Sequence, residues 1–225
     1  MKDIYHDILE LLSEYNAKLV LVSKTKPASQ IKFYYDQGQR DFGENRVQEM
    51  VAKHEQLPQD IKWHQIGHLQ KNKVKYIAPF VHLIHSVDNL DLLVEINKRA
   101  IQNNRTIDVL LQIKIAKEDT KFGLSVEKCI ELLESQKYKE LKNIRITGLM
   151  GMATFTYDQE QIKNEFGFLK AFFDKIKNQY FKDKSHFSEL SMGMSSDYKI
   201  ALEQGATIVR IGSLIMGSRN FLPQK

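Results

Sequence analysis

A lysine at the end of an apolar run is the first residue here that invites a chemical reading. In Leu19-Val20-Leu21-Val22-Ser23-Lys24, period-two alternation puts Val20, Val22 and Lys24 on one face of a strand, with Leu19, Leu21 and Ser23 on the other. A Lys that prolongs an apolar face is costly to bury unless it is paired or used chemically. Desolvation lowers an amine's pKa and makes it a nucleophile able to form a Schiff base with a carbonyl. Two structural readings compete: the side chain snorkels out of a barrel mouth, or it pairs with Glu44. Lys26 precedes Pro27 and is read as loop, the weaker candidate.

A second set of residues suits an anion. Ser195-Ser196-Asp197 immediately precedes an amphipathic segment, so Ser195 or Ser196 is expected to cap a helix and offer its free N–H groups to a phosphate. Gly212 and Ser213 follow the last apolar run, where glycine permits close approach of backbone amides to a ligand. Arg210 lies inside Ile208-Val209-Arg210-Ile211-Gly212 and needs a buried acid, a phosphate or a ring nitrogen as partner. Serine caps and glycine turns are common without any ligand. Together with a strand-end lysine, however, they suit one cofactor. Pyridoxal 5′-phosphate has an aldehyde for Lys24, a phosphate for Ser195, Gly212 and Ser213, and a pyridine nitrogen for Arg210.

Other constellations are weaker. His64 and His68 are four apart and His82 and His85 three apart, but each pair spans strand and loop, and no carboxylates converge on them, so no metal site is expected. There is no GxxxxGK[ST] loop, GxSxG elbow or GxGxxG after a strand. Cys129 sits in the apolar helical stretch Val126–Leu133 and reads as core, not nucleophile.

The elements that must position these groups alternate. Short runs bounded by Gly, Asn or Ser read as buried strands at Leu19–Ser23, Asp41–Glu44, Trp63–Gly67, Leu83–Val87, Val109–Ile115, Ile144–Met152, Phe187–Gly193 and Thr207–Ser213. Amphipathic segments lie between them: Ala28–Gln37, Asn45–Glu55, Leu69–Ala78, Leu90–Ile101, Ser125–Gln136, Gln159–Tyr180 and Ser196–Gln204. Eight strands alternating with helices predict one closed (β/α)8 TIM barrel over residues 1–225. A doubly wound open sheet is the runner-up, but the first strand runs into Ser23-Lys24-Thr25-Lys26-Pro27, without the glycine turn of that class. In such barrels the functional groups sit where strands end, and the loops after strands 7 and 8 recur as a phosphate site.

Composition bounds the rest. The 225 residues are 42% hydrophobic and 27% charged, which excludes disordered and membrane-spanning classes. The net charge of +5 comes from dispersed bases, which alternate with acids in Lys114, Lys117, Glu118, Asp119 and Lys121, so nucleic acid is not an expected partner. A single cysteine excludes a disulfide framework and fits the cytoplasm, and the N-terminus is no signal peptide. No large apolar surface stripe is evident, which favours a monomer.

At these residues the chain resembles the YggS/PROSC-type pyridoxal phosphate homeostasis proteins, whose fold is close to the N-terminal barrel of alanine racemase. The resemblance covers nearly the whole chain. It rests on Val22-Ser23-Lys24-Thr25-Lys26-Pro27, Phe42-Gly43-Glu44-Asn45-Arg46-Val47-Gln48-Glu49 and His64-Gln65-Ile66-Gly67-His68-Leu69-Gln70-Lys71-Asn72-Lys73. It continues through Lys121-Phe122-Gly123-Leu124, Gly148-Leu149-Met150-Gly151-Met152, Gly193-Met194-Ser195-Ser196-Asp197 and Val209-Arg210-Ile211-Gly212. It implies a Schiff base on Lys24, a phosphate held by Ser195, Gly212 and Ser213, Arg210 near the pyridine nitrogen, and Asn45 lining the pocket. Ser213 stands where the family often has Thr, and Met216 where an aromatic residue is common.

Two readings of activity follow from the resemblance. A racemase needs an acid/base group on each face of its substrate, and alanine racemase takes one of them from a second domain. Because the sequence stops at Lys225, that domain is expected to be missing, and a non-enzymatic carrier serving cofactor and amino-acid homeostasis is expected. Its partners would be the cofactor and pyridoxal-phosphate-dependent apo-enzymes. The alternative is an amino-acid racemase that recruits a second base from its own loops. A third reading is an aldolase-type barrel enzyme in which Lys24 attacks a carbonyl substrate directly.

Overall fold

The first strand, β1 (Lys18–Val22), buries four consecutive residues because it is covered on both sides. Runs of consecutive buried residues continue around the sheet, in β2 (Asp41–Glu44), β3 (Lys62–Gln65), β4 (Leu83–Val87), β5 (Ile107–Gln112), β6 (Ile144–Met150), β7 (Glu189–Ser191) and β8 (Ile208–Ile211). Each strand pairs in parallel with the next, and β8 returns to β1 with Val20 opposite Arg210. The result is the closed eight-stranded barrel that the alternation predicts. The computed structural model describes residues 4–116 and 122–217. Lys121, named above in a motif, and the charge alternation over Lys117, Glu118 and Asp119 lie outside the described residues.

Helices cover the outside: α1 (Ile4–Glu14), α2 (Ala28–Asp36), α3 (Val47–Gln56), α4 (Val74–Ile77), α5 (Leu90–Gln102), α6 (Val126–Glu134), α7 (Gln136–Lys139), α8 (Gln159–Tyr180), α9 (Tyr198–Glu203) and α10 (Ser213–Met216). Outward-facing strand residues such as Leu19, Leu21, Trp63 and Val209 pack against them in the main core. Val20, Leu83, Leu110, Met150 and Ile208 form a separate cluster inside the barrel. In α8, Phe166, Leu169, Phe172, Phe173 and Ile176 are all buried on one stripe, each contributing about 1.5–3 kcal/mol of transfer free energy. They are core, as the periodicity predicts. Asp158 caps α8 by accepting from the Gln161 N–H at 3.1 Å.

Several elements differ from expectation, three of them near the N-terminal half of the barrel. The N-terminal segment forms α1, whose Tyr5, Ile8 and Leu12 bury at helical spacing. The segment Leu69–Ala78 is a 3₁₀ turn over Lys71–Lys73 followed by the single turn α4. The run through Gly67 pairs only as far as Gln65, because the chain there rides against the Asn45 backbone: a Cβ on Gly67 would lie 2.6 Å from Asn45 O. Cys129 is buried in α6, and burial pushes its thiol up to about 12. Among the described residues, no helix is long and apolar enough to cross a membrane.

Candidate functional site

The turn that carries Lys24 is held from below. Lys26 N–H closes it on Ser23 O at 3.1 Å, and Thr25 takes φ +65°, a left-handed conformation that a β-branched residue rarely adopts. Such a conformation persists only where its surroundings over-determine it. Lys53, from α3, donates to Ser23 O at 2.7 Å, to Glu44 Oε1 at 2.6 Å and to Glu49 Oε1 at 2.7 Å. Glu49 also accepts from Thr25 N–H, and Ser23 Oγ donates to Glu44 Oε1 at 2.6 Å. Burial pushes the Glu44 carboxyl up, against the pull of Lys53 and Ser23. The ion-pair partner of Glu44 is therefore Lys53, not Lys24. Lys24 is half-buried in a cavity wall with Val22 and Lys26.

On the other side of the barrel, the loops after β7 and β8 meet. Ser195 Oγ accepts from Gly212 N–H at 3.4 Å, and Ser213 Oγ donates to Ser195 Oγ at 3.2 Å. The expected helix cap is not formed by a serine. Asp197 occupies the cap position of α9 with no side-chain bond into the helix. Its carboxylate turns back to accept from Met194 N–H, because Gly193 at φ +90° folds the loop tightly over Ala201. That leaves both serine hydroxyls on the cavity side.

Arg210 points into the barrel and is 4% exposed. Its Nη1 donates to Ser191 Oγ at 2.7 Å and its Nη2 to Gly151 O at 3.1 Å, so the guanidinium is fixed across β6, β7 and β8. Burial lowers its pKa to about 10, while Asp197 opposes the shift. Ser191 Oγ in turn lies 2.9 Å from His85 Nδ1, His85 Nε2 lies 2.9 Å from His64 Nδ1, and His64 Nε2 lies 3.0 Å from Asp41 Oδ1. A hydrogen-bonded column thus runs down the barrel axis from Arg210 to Asp41. Arginine can only donate and an ionised carboxylate can only accept. With both imidazoles neutral, every link therefore donates toward Asp41. Burial holds His85 well below the usual histidine range, and the bond from His64 holds Asp41 low despite burial.

These groups border one cavity of about 480 Å³ at the C-terminal mouth of the barrel, within the ordinary size of small-molecule sites. All six residues singled out in the sequence line it: Lys24, Asn45, Ser195, Arg210, Gly212 and Ser213. Lys26 lines it too, and among the described residues no acidic side chain does. Its electrostatics therefore favour an anionic ligand. Asn45 is set by Gln65, whose Nε2 donates to Asn45 O at 3.1 Å and to Gly67 O at 3.0 Å. A larger groove of about 580 Å³ runs along α8 past Asp158 and Phe168 and contains none of the six.

Sequence reasoning missed the apolar walls, Ile66, Met152, Phe155 and Met194, and the column behind Arg210. Period-two alternation on β4 carried a signal for the column, because His85 shares the face of Leu83 and Val87. The histidines were paired by nearness in sequence, as 64 with 68 and 82 with 85. Parallel pairing of β3 with β4 instead joins His64 to His85 and brings His82 beside it.

The model of the alanine racemase N-terminal domain matches residues 2–220. A pyridoxal phosphate homeostasis protein of Aquifex aeolicus is 43% identical over 206 residues, covering 91% of this chain and 88% of its own. That of Synechocystis is 38% identical over 218 residues, covering 96% and 97%. Among solved structures, PipY of Synechococcus elongatus, 33% identical, superposes with a TM-score of 0.86 without pyridoxal phosphate and 0.84 with it bound, over 96% of this chain and 100% of PipY. An alanine racemase of Clostridium difficile shares the fold at 14% identity and a TM-score of 0.71; this chain spans 58% of it. The chain belongs to the alanine racemase N-terminal domain family and, within it, to the pyridoxal phosphate homeostasis proteins.

Proposed function

We propose that this protein binds pyridoxal 5′-phosphate at the C-terminal mouth, as a Schiff base on Lys24, and serves intracellular cofactor and amino-acid homeostasis without robust catalysis. The observation that carries this reading is the convergence of a lysine amine, a two-serine cluster with a glycine amide, and an anchored arginine on one acid-free cavity. When bound, the cofactor supplies an aldehyde that condenses reversibly with an amine and a ring that can accept electrons.

The residues present fit such a group. A Cβ on Gly212 would lie 3.0 Å from Val22 O, so only glycine lets this backbone turn sit so close to the lysine strand. The hydroxyls of Ser195 and Ser213 and the Gly212 N–H are the donors for a phosphate. Arg210, which has no acceptor, would donate to a ring nitrogen and so would keep that nitrogen unprotonated, weakening the ring as an electron sink. This favours holding over catalysis. Phe155, on the rim, is 82% exposed, which suits uptake and handover to apo-enzymes. The reading is of a cytoplasmic monomer. The homeostasis role is further supported by relatives that carry that name and match over most of their own length.

The test is the visible spectrum of the purified protein. A cofactor band that Lys24→Ala abolishes is expected, and its absence from the wild type would overturn the reading. Incubation of the loaded protein with L-amino acids in deuterated water is expected to give no sustained α-proton exchange. Exchange with loss of optical rotation would establish the racemase instead.

A further inference from the structure

The column that begins at Arg210 ends at the opposite mouth of the barrel, at three side chains with no part in the cofactor cavity. Asp41 opens β2, His64 lies within β3, and His82 immediately precedes β4. Their ligand atoms all lie within 4.8 Å of one another. The His64 and His82 rings stand 5.3 Å apart at 59°. His64 Nε2 and Asp41 Oδ1 are already 3.0 Å apart, and bonds of about 2.0–2.1 Å in a tetrahedron set donor separations of roughly 3.3 Å. We propose that Asp41, His64 and His82 form a binding site for a divalent transition metal of the zinc type, with water completing the shell.

Two imidazoles and one carboxylate suit zinc, cobalt or nickel, and not the oxygen-seeking magnesium or calcium. The frame is rigid: Asp41 and His64 are on paired parallel strands, and His82 N–H is fixed to Trp63 O at 2.9 Å. His64 is oriented through its other nitrogen by His85, as metal-ligating imidazoles usually are. Lys62, whose charge acts on both Asp41 and His82, opposes the cation, and Asp108 favours it.

Metal capture requires the lone pair of His64 Nε2, so the His64 proton must reside on Nδ1 and be donated to His85. His85 then carries its proton on Nδ1 and donates to Ser191 Oγ, and the Ser191 hydroxyl proton turns away. The column keeps its number of protons: the metal replaces the bond from His64 to Asp41, and the two donations between His64 and Ser191 reverse. The hydroxyl that receives Arg210 thereby turns from donor to acceptor toward His85, which couples the two mouths.

Calorimetric titration of the untagged, chelator-treated full chain with Zn²⁺ is expected to show one saturable site at micromolar or tighter affinity. His82→Ala and Asp41→Asn should each weaken it at least about 10-fold, and Lys62→Ala should tighten it. His82 is exposed, so the fold of its variant is checked by its melting curve, with His82→Gln as the second form. No saturable binding below about 1 mM, or wild-type affinity in both the His82 and Asp41 variants, would overturn the site. In cofactor-loaded protein, Zn²⁺ should shift the visible band in the wild type but not in His82→Ala. That readout alone rests on the proposed function; the calorimetry involves no cofactor, so the two can fail separately.

Discussion

Lys53 Nζ donates to the carbonyl oxygen of Ser23 at 2.7 Å, so a side chain from α3 fixes the peptide unit that leads directly into Lys24. The same ammonium pairs with both Glu44 and Glu49. Lys53→Met should leave the fully buried Glu44 unpaired and cost about 3–5 kcal/mol of stability. Equilibrium urea unfolding measures the loss. The turn at Thr25 should loosen with it, so any cofactor retained should dissociate faster than from the wild type, followed by the decay of the visible band on dilution.

Gly212→Val tests the close approach of β8 to β1. The new Cβ would meet Val22 Cβ and the backbone oxygen of Val22 at 3.0 Å, and a backbone atom cannot yield as a flexible side chain would. A loss of about 1–3 kcal/mol from overpacking is expected, with phosphate-dependent cofactor binding abolished. Gly212→Ala should show the same direction with a smaller effect. Melting temperature and equilibrium dialysis against the cofactor separate the two consequences.

Arg210→Lys preserves the charge but not the fork. A single ammonium cannot reproduce the geometry by which two guanidinium nitrogens reach Ser191 Oγ and Gly151 O. One buried acceptor is left short of a donor, which costs about 1–3 kcal/mol. The absorption of bound cofactor should shift because its ring faces a different donor. A variant with unchanged spectrum and stability would show that the guanidinium geometry is unimportant.

Cys129 gives a pH signature. The native thiol keeps its proton up to about 12, whereas a solvated thiol loses it from about 8.5. Unfolding between those values releases a proton, so stability falls as pH rises, by about 1.4 kcal/mol per unit for this one group. Below about 8.5 the thiol is protonated in both states and contributes no slope. The stability difference between wild type and Cys129→Ala, measured by denaturant unfolding across this range, should shrink by that slope.

The barrel was legible because apolar runs such as Leu83–Val87 and Leu19–Ser23 carry their own boundaries. The six cavity residues were legible because a lysine, serines and glycines at strand ends converge whenever such a barrel closes. Two kinds of feature were not. Helix α1 shows its face only as Tyr5, Ile8 and Leu12 amid acids, and α9 turned on Asp197 because Gly193 redirected the loop before Ser195 could cap it. The axial column depends on register: His64 meets His85 only because the strands are staggered, and no local pattern in β3 or β4 carries that stagger. Likewise, the sequence pairs Glu44 with Lys24, and packing of α3 against the barrel supplies Lys53 instead.

Barrel interiors of this class are usually filled by layers of branched aliphatic side chains. Here His64, His85, Ser191 and Arg210 occupy that volume, leaving Val20, Leu83, Leu110, Met150 and Ile208 as the apolar filling. Exchanging a buried polar cluster for well-packed hydrocarbon is often neutral or stabilising. Redesigning all four positions together as valine, leucine and isoleucine should therefore give a barrel that melts no lower than the natural one. That barrel would lack the arginine of one mouth and a histidine of the other. The natural protein forgoes this thermal headroom, and what it retains instead is a continuous path of polar atoms through the centre of its fold.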